Sequence, residues 1–137
     1  MPRPEPLRAL IVEDDLPLQE LLVQLLRSRG FVTQAVDTVA AGLEQLRMHE
    51  SPHCLLLDLC LPDGAGTKLL QHLRAKEMTT KVAVVTGTED KKLLRETMRL
   101  QPDHILKKPF GLHEIEAWLS MAVVVQKSDR IRQAIVA

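Results

Sequence analysis

Five short apolar runs, each followed by a stretch of helical periodicity, constrain this chain more than any other feature. The runs cover residues 7–12, 31–36, 54–59, 82–86 and 104–107. Three of them (Ala-Leu-Ile-Val, Cys-Leu-Leu-Leu-Asp-Leu, Val-Ala-Val-Val) are continuous rather than alternating with polar residues. Unbroken runs of this length suit strands covered on both faces, the usual situation in a parallel sheet.

The intervening stretches have the other period. Leu18, Leu21, Leu22, Leu25 and Leu26 recur at i, i+3, i+4, i+7 and i+8, the apolar stripe of an amphipathic helix. Asp15 suits its N-cap, Pro17 its first turn, and Gly30 follows as a stop. Val39, Ala40, Leu43 and Leu46 predict a second helix, which Pro52 keeps from running into the third strand. Leu69, Leu70 and Leu73 predict a third, Leu93, Leu94, Thr97 and Met98 a fourth, and Leu112, Ile115, Leu119 and Ala122 a fifth. The expected fold class is α/β: a (βα)5 alternation giving a five-stranded parallel sheet with helices on both faces, a three-layer sandwich. Residues 1–6 read as a tail and 7–122 as one domain. Residues 123–137 read either as a frayed tail or as a helical extension. In the second case Ile131, Ala134 and Ile135 form an apolar patch for a partner or a second copy.

Bulk properties exclude several classes. Eighteen Lys and Arg balance eighteen Asp and Glu, so no net field draws the chain to nucleic acid or an anionic membrane. No apolar run approaches the roughly 20 residues that span a bilayer, and MPRPEPLRAL is too polar for a signal peptide. A cytoplasmic protein without membrane or direct nucleic-acid contact is expected. If Cys54 and Cys60 share an extended segment, they lie about 20 Å apart, beyond the roughly 7 Å that a disulfide tolerates. His49, His53, His72, His104 and His113 show no zinc-ligand spacing and read as surface or loop residues.

The chemistry gathers at the strand ends. Open parallel sheets form sites beyond the carboxyl ends of their strands. The first run ends in Glu13-Asp14-Asp15, the third reaches Asp58, the fourth ends in Thr86, and the fifth is followed by Lys108-Pro109. Crowded carboxylates repel unless a cation sits among them. All-oxygen ligands select a hard ion, and Mg²⁺ takes one or two carboxylates, waters and a phosphate oxygen. Together with Lys108 such an ion neutralises Glu13, Asp14 and Asp58, the charge arrangement that phosphoryl transfer uses. Asp58 sits between Leu57 and Leu59, where an unpaired carboxylate is costly, so a strand-held nucleophile explains it better than packing. Taken singly, Thr86 reads as a strand-end hydroxyl and Lys108 as a solvated lysine; their joint placement carries the reading.

LIVEDD, LLLDLCLPDGAG, VVTG and LKKPF, in that order and spacing over residues 7–122, resemble the successive motifs of response-regulator receiver domains. The resemblance implies a flavodoxin-like fold with strand order 2-1-3-4-5. It implies Asp58 as phospho-acceptor, Asp14 as a direct Mg²⁺ ligand, Glu13 as a direct or water-bridged one, and the Cys60 carbonyl completing the shell. Thr86 would hydrogen-bond the phosphoryl group and Lys108 would pair with it. Pro109 would follow a cis bond, Pro62 and Gly66 match the loop after the acceptor, and Gly87 keeps the pocket open. The implied partners are a sensor histidine kinase or histidine phosphotransfer protein, and a downstream protein target. A homodimer is also compatible. The chain resembles a single-domain response regulator, catalysing no reaction beyond its own phosphorylation and dephosphorylation. Two departures stand out: Ile105 occupies a position where an aromatic residue commonly acts as a switch, and Gln101-Pro102 replaces a common Gly-Ala pair, implying a stiffer connection. The alternative is a binding module of the same fold, indifferent to phosphate. An aspartyl-nucleophile phosphatase is disfavoured because Cys60 stands where its second aspartate belongs.

Overall fold

The computed structural model describes residues 5–122. Strands β1 (Arg8–Val12), β2 (Val32–Val36), β3 (Cys54–Leu57), β6 (Lys81–Thr86) and β7 (His104–Lys107) form one sheet in the order β2-β1-β3-β6-β7. All its pairings are parallel, and β1 aligns Ile11 with Ala35 on one side and Leu56 on the other. Helices α1 (Leu16–Ser28), α2 (Val39–Met48), α3 (Thr67–Ala75), α4 (Lys91–Arg99) and α5 (residues 112–122) connect or follow the strands. Counting the five strands of this sheet in chain order gives 2-1-3-4-5, as expected.

The period-2 direction of side chains divides the core into two layers. Ala9 and Ile11 of β1, Cys54 and Leu56 of β3, and Ala83 and Val85 of β6 pack with Leu22 and Leu26 of α1 and Ile115 and Leu119 of α5. The alternate residues (Leu10 and Val12, Leu55 and Leu57, Val82 and Val84) pack with Val39, Leu46, Leu69, Leu70 and Leu73. Two helices thus cover one face and three the other. Because both faces are covered, the strands carry the unbroken apolar runs seen in the sequence.

Several expectations need correction. The third run, expected to 59, leaves the sheet after Leu57; Cys60 belongs instead to a separate antiparallel ribbon, β4 (Cys60–Leu61) with β5 (Gly64–Ala65). Cys54 is buried, Cys60 is exposed, and both are free thiols. Leu21, Ala40, Met98 and Leu112 lie exposed, because each falls at the margin of its helix's apolar arc. Asp15 caps α1 as expected, its carboxylate accepting the Leu18 N–H at 3.3 Å. His53 is half-buried, and its Nδ1 accepts the Arg8 backbone N–H at 2.9 Å. The Lys108–Pro109 bond is cis. Residues 123–137, and with them the alternative of tail or helical extension, lie outside the described residues.

Candidate functional site

Backbone hydrogen bonds carry the sheet pattern one residue beyond the strands and so fix the site. The Glu13 N–H donates to the Val36 carbonyl at 3.0 Å, Asp58 N–H to Val12 at 2.9 Å, and Lys108 N–H to Thr86 at 2.8 Å. Glu13, Asp58 and Lys108 are therefore each the first residue after a strand, held by the neighbouring strand. That rigidity places their side chains at the carboxyl rim of the sheet.

Those side chains converge. Lys108 Nζ donates to Glu13 Oε1 at 2.6 Å and to Asp58 Oδ2 at 3.2 Å. Asp58 Oδ1 accepts the Cys60 backbone N–H at 3.1 Å. Glu13 is 2% exposed and Asp58 6%, while Asp14 beside them is exposed. Glu13 Oε2 is buried with no hydrogen-bond partner among the described residues, an uncompensated position for a carboxylate oxygen. One carboxylate oxygen each from Glu13, Asp14 and Asp58 lies within 4.8 Å of the others. A hard divalent cation fits this set: its donors are all oxygen, and it would engage a buried oxygen that has no partner among the described residues.

Electrostatics agree with that fit. Burial, and then the neighbouring Asp58 carboxylate, push the Glu13 carboxyl up to about 8 despite Lys108 beside it. Burial also works against the Lys108 ammonium, but the hydrogen bond to Glu13 and the charges of Asp58 and Glu13 outweigh it, holding its pKa above the ordinary lysine value. One lysine is too little positive charge for three carboxylates.

The remaining expected residues are placed differently. Thr86 is buried at the end of β6, joined to Lys108 through its carbonyl, while its hydroxyl accepts the Thr88 N–H at 3.1 Å. Gly66 closes the loop behind the acceptor, its N–H donating to Leu59 at 2.8 Å, and a Cβ there would run into the backbone carbonyl of Asp58. Gly87 is less demanding: a Cβ would meet the Lys108 side chain at 3.7 Å, an ordinary contact. Ile105 is half-buried against the layer of α2, α3 and α4.

Two residues that the sequence did not point to frame the site. Gln19 Nε2 donates to the carbonyls of Glu13 at 2.8 Å and Val36 at 3.2 Å, tying α1 to the acidic loop. Asp63 accepts the N–H groups of Val39 at 2.8 Å and Ala40 at 3.0 Å. Gln19 gave no signal, since any polar residue suits the first turns of α1. Asp63 lies in Pro-Asp-Gly, a composition that any exposed turn favours.

A family model described as the response regulator receiver domain matches residues 9–120. The chain belongs to that family. This receiver is 36% identical over 129 residues to the transcriptional regulatory protein CiaR of Streptococcus pneumoniae, covering 93% of this chain and 55% of that protein. It is 31% identical over 113 residues to the phosphate regulon transcriptional regulatory protein PhoB of Escherichia coli, covering 80% and 48%. The receiver thus spans about half the length of the curated relatives it matches. Among solved structures, a CheY-like response regulator receiver domain protein from Methanospirillum hungatei superposes with a TM-score of 0.82 at 23% identity, covering 91% of this chain and 99% of that one. A second, from Methylobacillus flagellatus, is 31% identical with a TM-score of 0.73, covering 86% and 99%. No helix among the described residues is long and apolar enough to cross a membrane.

Proposed function

We propose that this receiver takes a phosphoryl group onto Asp58 beside a Mg²⁺ ion and signals by docking to another protein. The observation that carries the reading is the pairing of buried Glu13 and Asp58 with half-buried Lys108, one Glu13 oxygen having no partner among the described residues. Glu13, Asp14 and Asp58, with the Cys60 carbonyl, would hold the ion. When bound, Mg²⁺ would neutralise charge on the phosphoryl oxygens.

The protein's own groups account for the rest. The donor is a phosphohistidine of a sensor kinase or phosphotransfer protein. An Asp58 carboxylate oxygen attacks phosphorus, an O–P bond forms as the P–N bond breaks, and the histidine, its other ring nitrogen already protonated, leaves with the bonding pair as neutral imidazole. The β3 end and the Cys60 N–H hold the nucleophile in line. Lys108 pairs with the incoming oxygens, and the Thr86 hydroxyl hydrogen-bonds one of them. The setting is cytoplasmic, where such kinases present their phosphohistidine. The neutral net charge favours a protein as the direct target over nucleic acid.

Incubation with Mg²⁺ and a small phosphodonor should add one phosphoryl mass, and Asp58→Asn should abolish the addition. An unchanged mass in the wild type, under conditions that modify another receiver, overturns the assignment. Ile105 favours a second reading, a docking module indifferent to phosphate. That reading predicts partner affinity unmoved by beryllofluoride and by Asp58→Asn; a shift with either one rejects it.

A further inference from the structure

We propose that Asp63 is a positioning residue for the metal site: by gripping the N-terminus of α2 it holds the hairpin that seats Cys60 against Asp58. This rests on the Mg²⁺ reading above.

The segment after the acceptor is a hairpin in which Cys60 pairs with Ala65 and Leu61 with Gly64, turning through Pro62 and Asp63. Two residues per strand cannot hold such a ribbon in water; it needs outside anchors. The described residues supply three. Leu61 is buried in the layer of α2 and α3, and Gly66 bonds back to Leu59. The third anchor is the Asp63 carboxylate, whose two oxygens take the N–H groups of Val39 and Ala40, 24 and 23 residues away. Thr38 caps the next N–H, that of Ala41, at 3.0 Å. The first three donors of α2 are therefore shared: one satisfied locally, two by the acceptor hairpin.

This division of labour gives Asp63 two roles that can be separated. A helix N-terminus favours an anion, so the contact is a charge-assisted clamp between α2 and the hairpin. At the other end of the same ribbon strand, Cys60 supplies the N–H on Asp58 Oδ1 and the carbonyl assigned to the metal. Releasing the turn lets both move together. The Thr38 hydroxyl accepts within α2, from Ala41, so its removal tests helix capping with both Asp63 bonds left in place.

The test compares Asp63→Ala, Asp63→Asn and Thr38→Ala with the wild type in two measurements on the folded protein. Titration with Mg²⁺ alone, followed by calorimetry or amide chemical shifts, reads metal affinity. Amide hydrogen exchange at Cys60, in metal-free protein, reads the hairpin. Asp63→Ala should weaken Mg²⁺ binding about tenfold, as loss of a supporting shell around metal ligands does, and should speed exchange at Cys60. Asp63→Asn, with one acceptor oxygen instead of two, should fall between. Thr38→Ala should match the wild type in both. Equal behaviour of Asp63→Ala and Thr38→Ala, or no effect of either Asp63 change, overturns the proposal. A wild type that binds no Mg²⁺ overturns the metal site and the affinity half of this inference with it. The Cys60 exchange rates need no metal, and they alone then decide whether Asp63 anchors the hairpin.

Discussion

Glu13 shows how a single residue can be poor for stability and necessary for a site. It is almost wholly buried, shares Lys108 with Asp58, and keeps one oxygen without a partner. Above pH 8, where its buried carboxyl ionises, replacing it with glutamine should raise metal-free stability by about 1 kcal/mol. Mg²⁺ at ten times its dissociation constant should stabilise the wild type by about 1.4 kcal/mol, and Glu13→Gln should lose that increment. Denaturant midpoints with and without Mg²⁺ check both signs; a variant still stabilised by Mg²⁺ would contradict the ligand assignment. The cysteines differ at the same scale. Burial pushes the Cys54 thiol up to about 12, so it stays protonated at pH 8, whereas Cys60 is exposed. Iodoacetamide at pH 8 should therefore add one carbamidomethyl group to the native protein, at Cys60, and a second only after denaturation; equal labelling of Cys54 would count against the packing described.

Elements meet at two connections that can be tested separately. Gly66 leads into α3, and a side chain there meets the Asp58 carbonyl, an obstacle of backbone that cannot rotate away. Gly66→Ala should cost about 2–3 kcal/mol and disturb the acceptor loop. Urea unfolding measures the first effect, and the Asp58 and Cys60 amide shifts the second. At the end of α4, Gln101 has φ +54°, in the left-handed region where glycine is usual. Arg74 of α3 supports that turn, donating from Nε to the Leu100 carbonyl at 2.8 Å and from Nη2 to Gln101 at 2.7 Å. The connection expected to be stiff is thus clamped from the neighbouring helix. Arg74→Ala should destabilise by roughly 1–2 kcal/mol, because helix-end carbonyls lose a charged donor.

For the whole molecule, acid stability carries a signature of the α2 clamp. The Ala40 and Val39 N–H groups hold the Asp63 carboxyl below its usual range. A depressed native pKa stabilises the fold above the unfolded value near 3.8, and that contribution is lost as pH falls through the native value. Asp63→Asn should lower stability at pH 7 and narrow its gap from the wild type below about pH 4. A gap that stays constant from pH 7 to 3 would show that the charge is not involved.

The alternation of unbroken apolar runs with helical stripes was enough to specify a parallel sheet covered on both faces. The order Glu13-Asp14, Asp58, Thr86, Lys108 was enough to place their chemistry at one rim, because strand ends follow from periodicity and topology alone. What periodicity cannot see is contact between residues far apart in the chain. It did not show that Lys108 would reach both Glu13 and Asp58, or that one Glu13 oxygen would be left alone. Nor did it show that Cys60 would leave the strand for a hairpin, or that an aspartate in an ordinary Pro-Asp-Gly turn would cap a helix more than twenty residues earlier. Sequence determined which groups stand at the rim, since a strand fixes direction residue by residue. Only the tertiary structure decided which of those groups are paired, buried or left open, since desolvation and hydrogen bonding depend on what the other elements bring alongside.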